Sequence, residues 1–342
     1  MKLLLGGLTI TALAQLAHAD EPTGSFAIGA GYNTDDGFGA SASVAQTDLF
    51  HLGKLLSLDA SIDERAQLFE ARYSDPEFLG SDVQLDVTAF DDAHHFDEFW
   101  HREGGVQLSL SKIVAPHVKM YGSYRISSVH DDADYADSAL EATYTVGALR
   151  GGIEYNTLDA PYGATRGSRL GGYVELATPA LGSSDALQMI HTRTYGETHV
   201  QLGRGFRFNG YGSFETADSY GPDALFAGER IQFDGSSQLR GYAPLAFGPR
   251  DDTGHTLGAN LAAFGRAELE APLFGLRNLS AVGFVDGGFM ADSHSTGEVA
   301  ATTGFGVMWR SPIGPIGGYF AWPSLHDSPV FVFGVGSTFG AK

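Results

Sequence analysis

Polar and apolar residues exchange places at nearly every step along most of this chain. In Val83 to Phe90, Val83, Leu85, Val87 and Ala89 alternate with Gln84, Asp86 and Thr88. Lys54 to Asp63 sets Leu56, Leu58, Ala60 and Ile62 against Ser57, Asp59, Ser61 and Asp63. Val118 to Ser127 sets Val118, Met120, Tyr124 and Ile126 against Lys119, Tyr121, Ser123 and Arg125. A period of two means strands with two unlike faces. A soluble sandwich also alternates, but it buries bulkier residues and leaves its polar side wholly in water. Segments of about ten residues with an apolar outer face and a polar inner one fit a transmembrane β-barrel.

Sixteen such segments start near Ser25, Phe38, Lys54, Ala66, Asp82, Arg102, His117, Leu140, Gly167, Ala186, Gly203, Gly258, Asn278, Glu298, Pro315 and Val330. The expected fold is therefore all-β, a closed antiparallel barrel of sixteen strands. An even count returns both termini to one side, expected to be the periplasm. The long or acidic connections (91–101, 130–138, 217–256, 290–297) then fall outside the cell, and the compact Ser311-Pro312-Ile313-Gly314-Pro315 turn falls inside.

The first nineteen residues read as a secretory signal: Lys2, an apolar stretch from Leu3 to Leu16, and a cleavage site at Ala17-His18-Ala19. No later run approaches the roughly 20 apolar residues that a membrane helix needs. Abundant glycine (46 residues), 12% aromatics and no cysteine favour an outer-membrane barrel over a secreted or periplasmic protein. The zero cysteine count also removes disulfides and thiol chemistry. Little chain separates the cleavage site from the first strand, so residues 20–342 are expected to be one barrel domain.

A formal charge of −20 argues against nucleic acid as a partner, since phosphate binding needs basic surface. Asp91-Asp92 with Asp97-Glu98, and Asp131-Asp132 with Asp134 and Asp137, read as solvated loop tips, with divalent cation binding as the lesser reading. His94, His95, Asp97 and His101 would share one such loop, expected to hold water rather than a transition metal. No histidine sits in a nucleophile elbow or a two-histidine helical site, so no enzyme and no cofactor are expected.

One connection breaks the regular spacing. Ala217 to Thr256 is Gly-rich and carries Leu239-Arg240-Gly241-Tyr242. A loop this long in a compact domain is seldom a passive link. Arg240 lies among small and apolar residues, where a cation needs an anionic partner. Glu268, Glu270 and Asp286 are the candidates downstream. Alternation puts Arg266, Glu268 and Glu270 on one face of their strand, and that face should line the lumen because charge facing lipid is costly. The loop is expected to fold into the lumen.

Several stretches together resemble the barrel of BamA, TamA and their relatives, the bacterial surface antigen superfamily that inserts or exports proteins at outer membranes. They are Gly29-Ala30-Gly31-Tyr32 with Thr34 to Gly39, Tyr73 to Gly80, Tyr155 to Asp159 with Thr165 to Leu170, Arg240-Gly241-Tyr242, Phe284-Val285-Asp286-Gly287-Gly288, and Gly304 to Trp309 with Ser311 to Ile316. The resemblance runs from about Ser25 to Phe339. It implies that Arg240 bonds Glu268 and Asp286 and pins the loop, with Gly241, Tyr242 and Glu270 in the same latch. It also implies a weak seam between the first and last strands, here Ile28, Ala30 and Tyr32 against Phe331, Phe333, Val335 and Phe339. Family members usually carry periplasmic POTRA domains ahead of the barrel, and with the signal read at residues 1–19 none is expected here. The implied function is insertion, assembly or translocation of proteins or lipids. Client outer-membrane proteins, lipid and lipopolysaccharide, and a periplasmic partner replacing the POTRA module would be its partners. The alternative is a gated pore or structural surface protein that keeps the fold alone.

Overall fold

A computed structural model describes residues 9–10, 23–96, 98–134, 140–160, 163–250, 254–276, 278–292, 297–311, 314–324 and 328–335. Sixteen strands follow one another in chain order. They are β1 (Gly24–Asn33), β2 (Gly37–Leu49), β3 (Lys54–Ile62), β4 (Ala66–Asp75), β5 (Gln84–His95), β6 (Phe99–Ala115), β7 (Val118–Ala133) and β8 (Ala142–Asn156), then β9 (Gly167–Ala177), β10 (Met189–Gly203), β11 (Phe206–Ser219), β12 (Leu261–Pro272), β13 (Leu279–Ala291), β14 (Glu298–Ser311), β15 (Gly314–Pro323) and β16 (Val330–Val335). Each pairs antiparallel with its neighbours, and β16 closes on β1. Closure leaves no open sheet edge, which is what permits strands to cross a membrane. Every strand begins within three residues of its expected start. A short pairing of Thr9–Ile10 with Ile28 and Gly29 precedes the barrel, and cleavage after Ala19 would remove it.

The faces sort as the alternation requires. Leu58, Leu108, Ile153, Val285 and Phe305 are exposed on the outside, while Ser127, Arg125, Glu175 and Arg266 are buried within. Aromatic rings run along the outer wall across the closing strands, with Phe305 near Phe320 and Trp322, Phe320 near Phe331, and Phe331 near Phe333.

Strand length departs from expectation. β6 and β7 run 17 and 16 residues, well beyond the ~9–11 that a bilayer requires. Asp91 and Asp92 of β5, which pair with β6, and Asp131 and Asp132 of β7, all read from sequence as loop tips, lie in strands. For Asp92 and Asp131 the reason is physical: they lie on the polar inward face, so a strand rising above the membrane looks like an acidic loop. Similarly, Ala217 to Ser219 still pair with β10, so the long loop spans residues 220–260.

Candidate functional site

The 220–260 loop turns back into the barrel and builds its own core there. Leu225, Ile231, Phe233, Leu239, Tyr242 and Phe247 are buried together with wall residues Val129, Val146, Met189 and Met290. The Phe226 ring stacks on Tyr144 of β8 at 4.1 Å, and Phe233 packs edge-on against Phe247 and Tyr242. This apolar mass fills the loop end of the lumen.

Arg240 lies at its base with no exposed surface. Its Nε and Nη2 donate to Asp286 Oδ2 and Oδ1 at 2.8 and 2.7 Å, and Nη1 donates to Glu268 Oε2 at 2.7 Å. Its backbone N–H also donates to Asp286, at 3.2 Å. The planar fork thus joins two carboxylates on adjacent strands, which a lysine cannot do. The guanidinium lies over the Phe284 ring at 3.5 Å, with Tyr319 at 5.4 Å. Burial alone would favour losing the proton, but Asp286 and Glu268 hold Arg240 above the ordinary arginine value.

The flanking residues are fixed as firmly. Gly241 has φ 88°, and a Cβ there would stand 2.9 Å from Ala321 Cβ, so only glycine fits. The Tyr242 hydroxyl lies 3.2 Å from both Ala301 O and Ser324 Oγ. Ser236 binds across the turn, its hydroxyl donating to Tyr242 O and accepting from Gly241 N–H. Arg266 Nη2 donates to the carbonyl oxygens of Ser236 and Ser237 at 3.2 and 2.9 Å.

Glu270 is not among Arg240's partners. It accepts from Arg310 Nη2 at 2.6 Å and Asn209 Nδ2 at 2.7 Å, while Asn209 also donates to Glu268. Glu270 therefore belongs to a lower network that touches the latch only through Asn209. Phe284, Tyr319, Asn209, Arg266 and Ser236 complete the site. Arg266 is on the lumen face as its alternation predicts, and Phe284 belongs to the motif that carries Asp286, whereas Tyr319, Asn209 and Ser236 were not singled out from sequence.

Across the lumen, the loop meets a second charged wall. Arg125 of β7 bonds Glu103 of β6 and Glu175 of β9, and Arg150 of β8 bonds Glu175 at 2.7 Å. His101 pairs with the fully buried Asp131 at 2.6 Å. Glu229 of the loop sits against this cluster, and burial pushes its carboxyl upward. His101, Glu103, Arg125, Arg150, Glu175 and Glu229 line a cavity of about 220 Å³ between the loop and the wall. His94 and His101 stand opposite each other on β5 and β6 and face this cavity rather than a solvated loop. His95 pairs instead with Asp134, and Asp97 lies outside the described residues. Among the described residues, no three potential ligands gather to hold a metal ion.

At the ring closure, Val335 lies opposite Tyr32 and Gly334 opposite Asn33. Ile28 and Phe331 are exposed, and Tyr32 lies 6.4 Å from Phe333. Ile28 is thus displaced along the seam from Val335 rather than facing it. Phe339 lies outside the described residues.

A model of the Omp85 superfamily domain matches residues 48–339. The outer membrane protein assembly factor BamA of Nitratidesulfovibrio vulgaris is 24% identical over 319 residues, covering 89% of this chain and 39% of that protein. BamA of Neisseria meningitidis serogroup B is 26% identical over 392 residues, covering 94% of this chain and 47% of that one. The chain therefore spans less than half the length of these relatives. Among solved structures, BamA from Haemophilus ducreyi lacking POTRA domains 1–3 aligns with a TM-score of 0.80 at 20% identity, covering 98% of this chain and 76% of that one. CdiB from Escherichia coli aligns with a TM-score of 0.62 at 15% identity, covering 93% and 63%. The family match over most of the chain, on a closed barrel with a buried arginine loop, identifies this protein as a BamA-like outer-membrane β-barrel of the Omp85 superfamily.

Proposed function

We propose that this barrel takes part in inserting, assembling or translocating proteins or lipids at the outer membrane, and that it acts at its β1–β16 seam rather than through an open lumen. The observation that carries this reading is the buried Arg240 bridge to Asp286 and Glu268, which holds an apolar plug across the loop end. With that route filled, the β1–β16 closure is the place where a client strand or lipid gains access in this reading. In this reading residues 1–19 are removed on export, both termini lie in the periplasm, and the outer face meets phospholipid and lipopolysaccharide. A periplasmic partner protein delivers clients to the turn end.

The test is a reversible lock. Cysteines replacing Tyr32 and Val335, which the register places opposite each other, would close the seam under oxidising conditions. The locked barrel should stay folded, running faster on a denaturing gel unboiled than boiled, while cells depleted of wild-type protein show altered outer-membrane protein or lipid composition that a reductant reverses. An unchanged outer membrane under both depletion and locking would leave a structural or gated barrel without client handling.

A further inference from the structure

Asp35 occupies the tight turn joining β1 to β2, at the edge of the seam. Its backbone N–H and that of Asp36 both donate to Asn33 Oδ1, at 2.8 and 2.7 Å. Asn33 in turn pairs with Gly334 of β16, and the next residue, Thr34, donates its N–H to Phe333 O at 3.2 Å. The turn is therefore part of the ring closure.

The same turn reaches the loop. Asp35 Oδ2 accepts the Ser236 N–H at 2.7 Å, across 201 residues of chain. The approach is close: a Cβ on Gly235 would stand 2.9 Å from that oxygen, and Gly235 has φ 64°. Ser236 is also the residue whose hydroxyl spans Gly241 and Tyr242, beside Arg240. A continuous chain of bonds thus runs from Gly334 through Asn33, Asp35 and Ser236 to the arginine turn.

We propose that Asp35 couples the seam to the loop, so that parting β1 from β16 loosens the arginine turn, and displacing that turn loosens the seam. The coupling is reciprocal because one bonded element carries it in both directions. Its strength is open to protons. Burial raises the Asp35 carboxyl to about 7. Asp36 in the same turn and Asp234 in the loop add like charge, and Asp234 itself lies 3.8 Å from His94 of β5. Glu64 of the β3–β4 turn also reaches this hairpin, accepting the Phe38 N–H at 3.1 Å. The inference concerns the barrel's own mechanics and stands whether or not a client is handled at the seam.

Hydrogen exchange on the purified barrel in lipid tests it in both directions. Asp35→Ala leaves the Ser236 amide without its acceptor, whereas Asp35→Asn keeps an oxygen in place. Asp35→Ala should speed exchange at least about tenfold both in 235–242 and at the seam amides near 32–34 and 333–335, with little change in Asp35→Asn. In the reverse direction, Val335→Pro should speed exchange at Ser236. Should either disturbance stay on its own side, with unboiled gel migration confirming a folded barrel, Asp35 is only a local clamp and the coupling is wrong.

Discussion

Two stretches of this barrel wall, as far as the described residues show them, are held by different kinds of contact. β12 and β13 pair without interruption from Leu261–Ala291 to Pro272–Ser280, and their inner faces carry the carboxylates that hold Arg240. β16 and β1 meet, among the described residues, at Gly334–Asn33 and Val335–Tyr32, with outward aromatic contacts and no ion pair crossing between them. Among the described residues, ion-paired cohesion is concentrated where the loop is held, and the contacts at the ring closure are apolar. A wall that parted at its closure would keep its plug, unless something ties the two regions together, as Asp35 is proposed to do.

The largest expected effect lies on the latch side. Arg240→Ala would leave Asp286 buried without its main partner, at a cost of about 3–5 kcal/mol to loop docking. Limited proteolysis of residues 220–260 reports it directly. Asp286→Ala should act similarly, and the double variant should be less damaged than the two losses added, because the second change removes the charge that the first stranded. Arg240→Lys should restore only part, since a point charge cannot serve both carboxylates. Simple additivity would erase the contrast between the two walls.

A smaller loss is expected from Gly241→Ala, roughly 1–3 kcal/mol for a non-glycine residue held at positive φ. The added methyl also meets Ala321. Loop protection should fall with the Arg240 bonds formally intact, and unchanged protection would mean that the turn has room to adjust. On the seam side, Tyr32→Ala removes ring contacts to Phe38 and Phe333. Aromatic contacts of this kind contribute about 0.5–1.5 kcal/mol each, so cysteine cross-linking rates across the seam should change while loop protection stays near wild type.

The smallest effect is that of pH. A carboxyl raised from its ordinary range to about 7 by burial favours the docked arrangement while protonated. Docking of the loop over Asp35 should therefore be most favourable in acid, weaken as pH rises from about 4 to 7, and level off above that, even though the Ser236 N–H bond itself favours the ionised carboxylate. Loop mobility, followed by a spin label at the exposed Ala243, should rise across this window. Asp35→Asn should flatten that component, and an identical profile in the two proteins would remove Asp35 from the pH response.

The strands were legible because inside and outside of a membrane barrel differ so sharply in polarity that alternation survives single-residue noise. The same contrast concealed the reach of β5, β6 and β7, where Asp92, His101 and Asp131 mimic loop composition while facing the lumen. Arg240 announced its need for an anion through its apolar surroundings, but nothing local said which acid would serve. Family resemblance supplied Glu268 and Asp286, and Glu270, equally acidic and on the same face, sits one step too far down the wall. The tie between Asp35 and Ser236 had no sequence signal, because it depends on how deeply a long loop descends beside the first hairpin.

Single-barrel conductance in a planar bilayer tests the plug most directly. Wild-type protein should show small, flickering currents, and deletion of Ser236 to Pro249 should raise them toward those of an open barrel of this strand number. A wild-type barrel already conducting as a wide, stable pore would contradict a loop held in the lumen by Arg240.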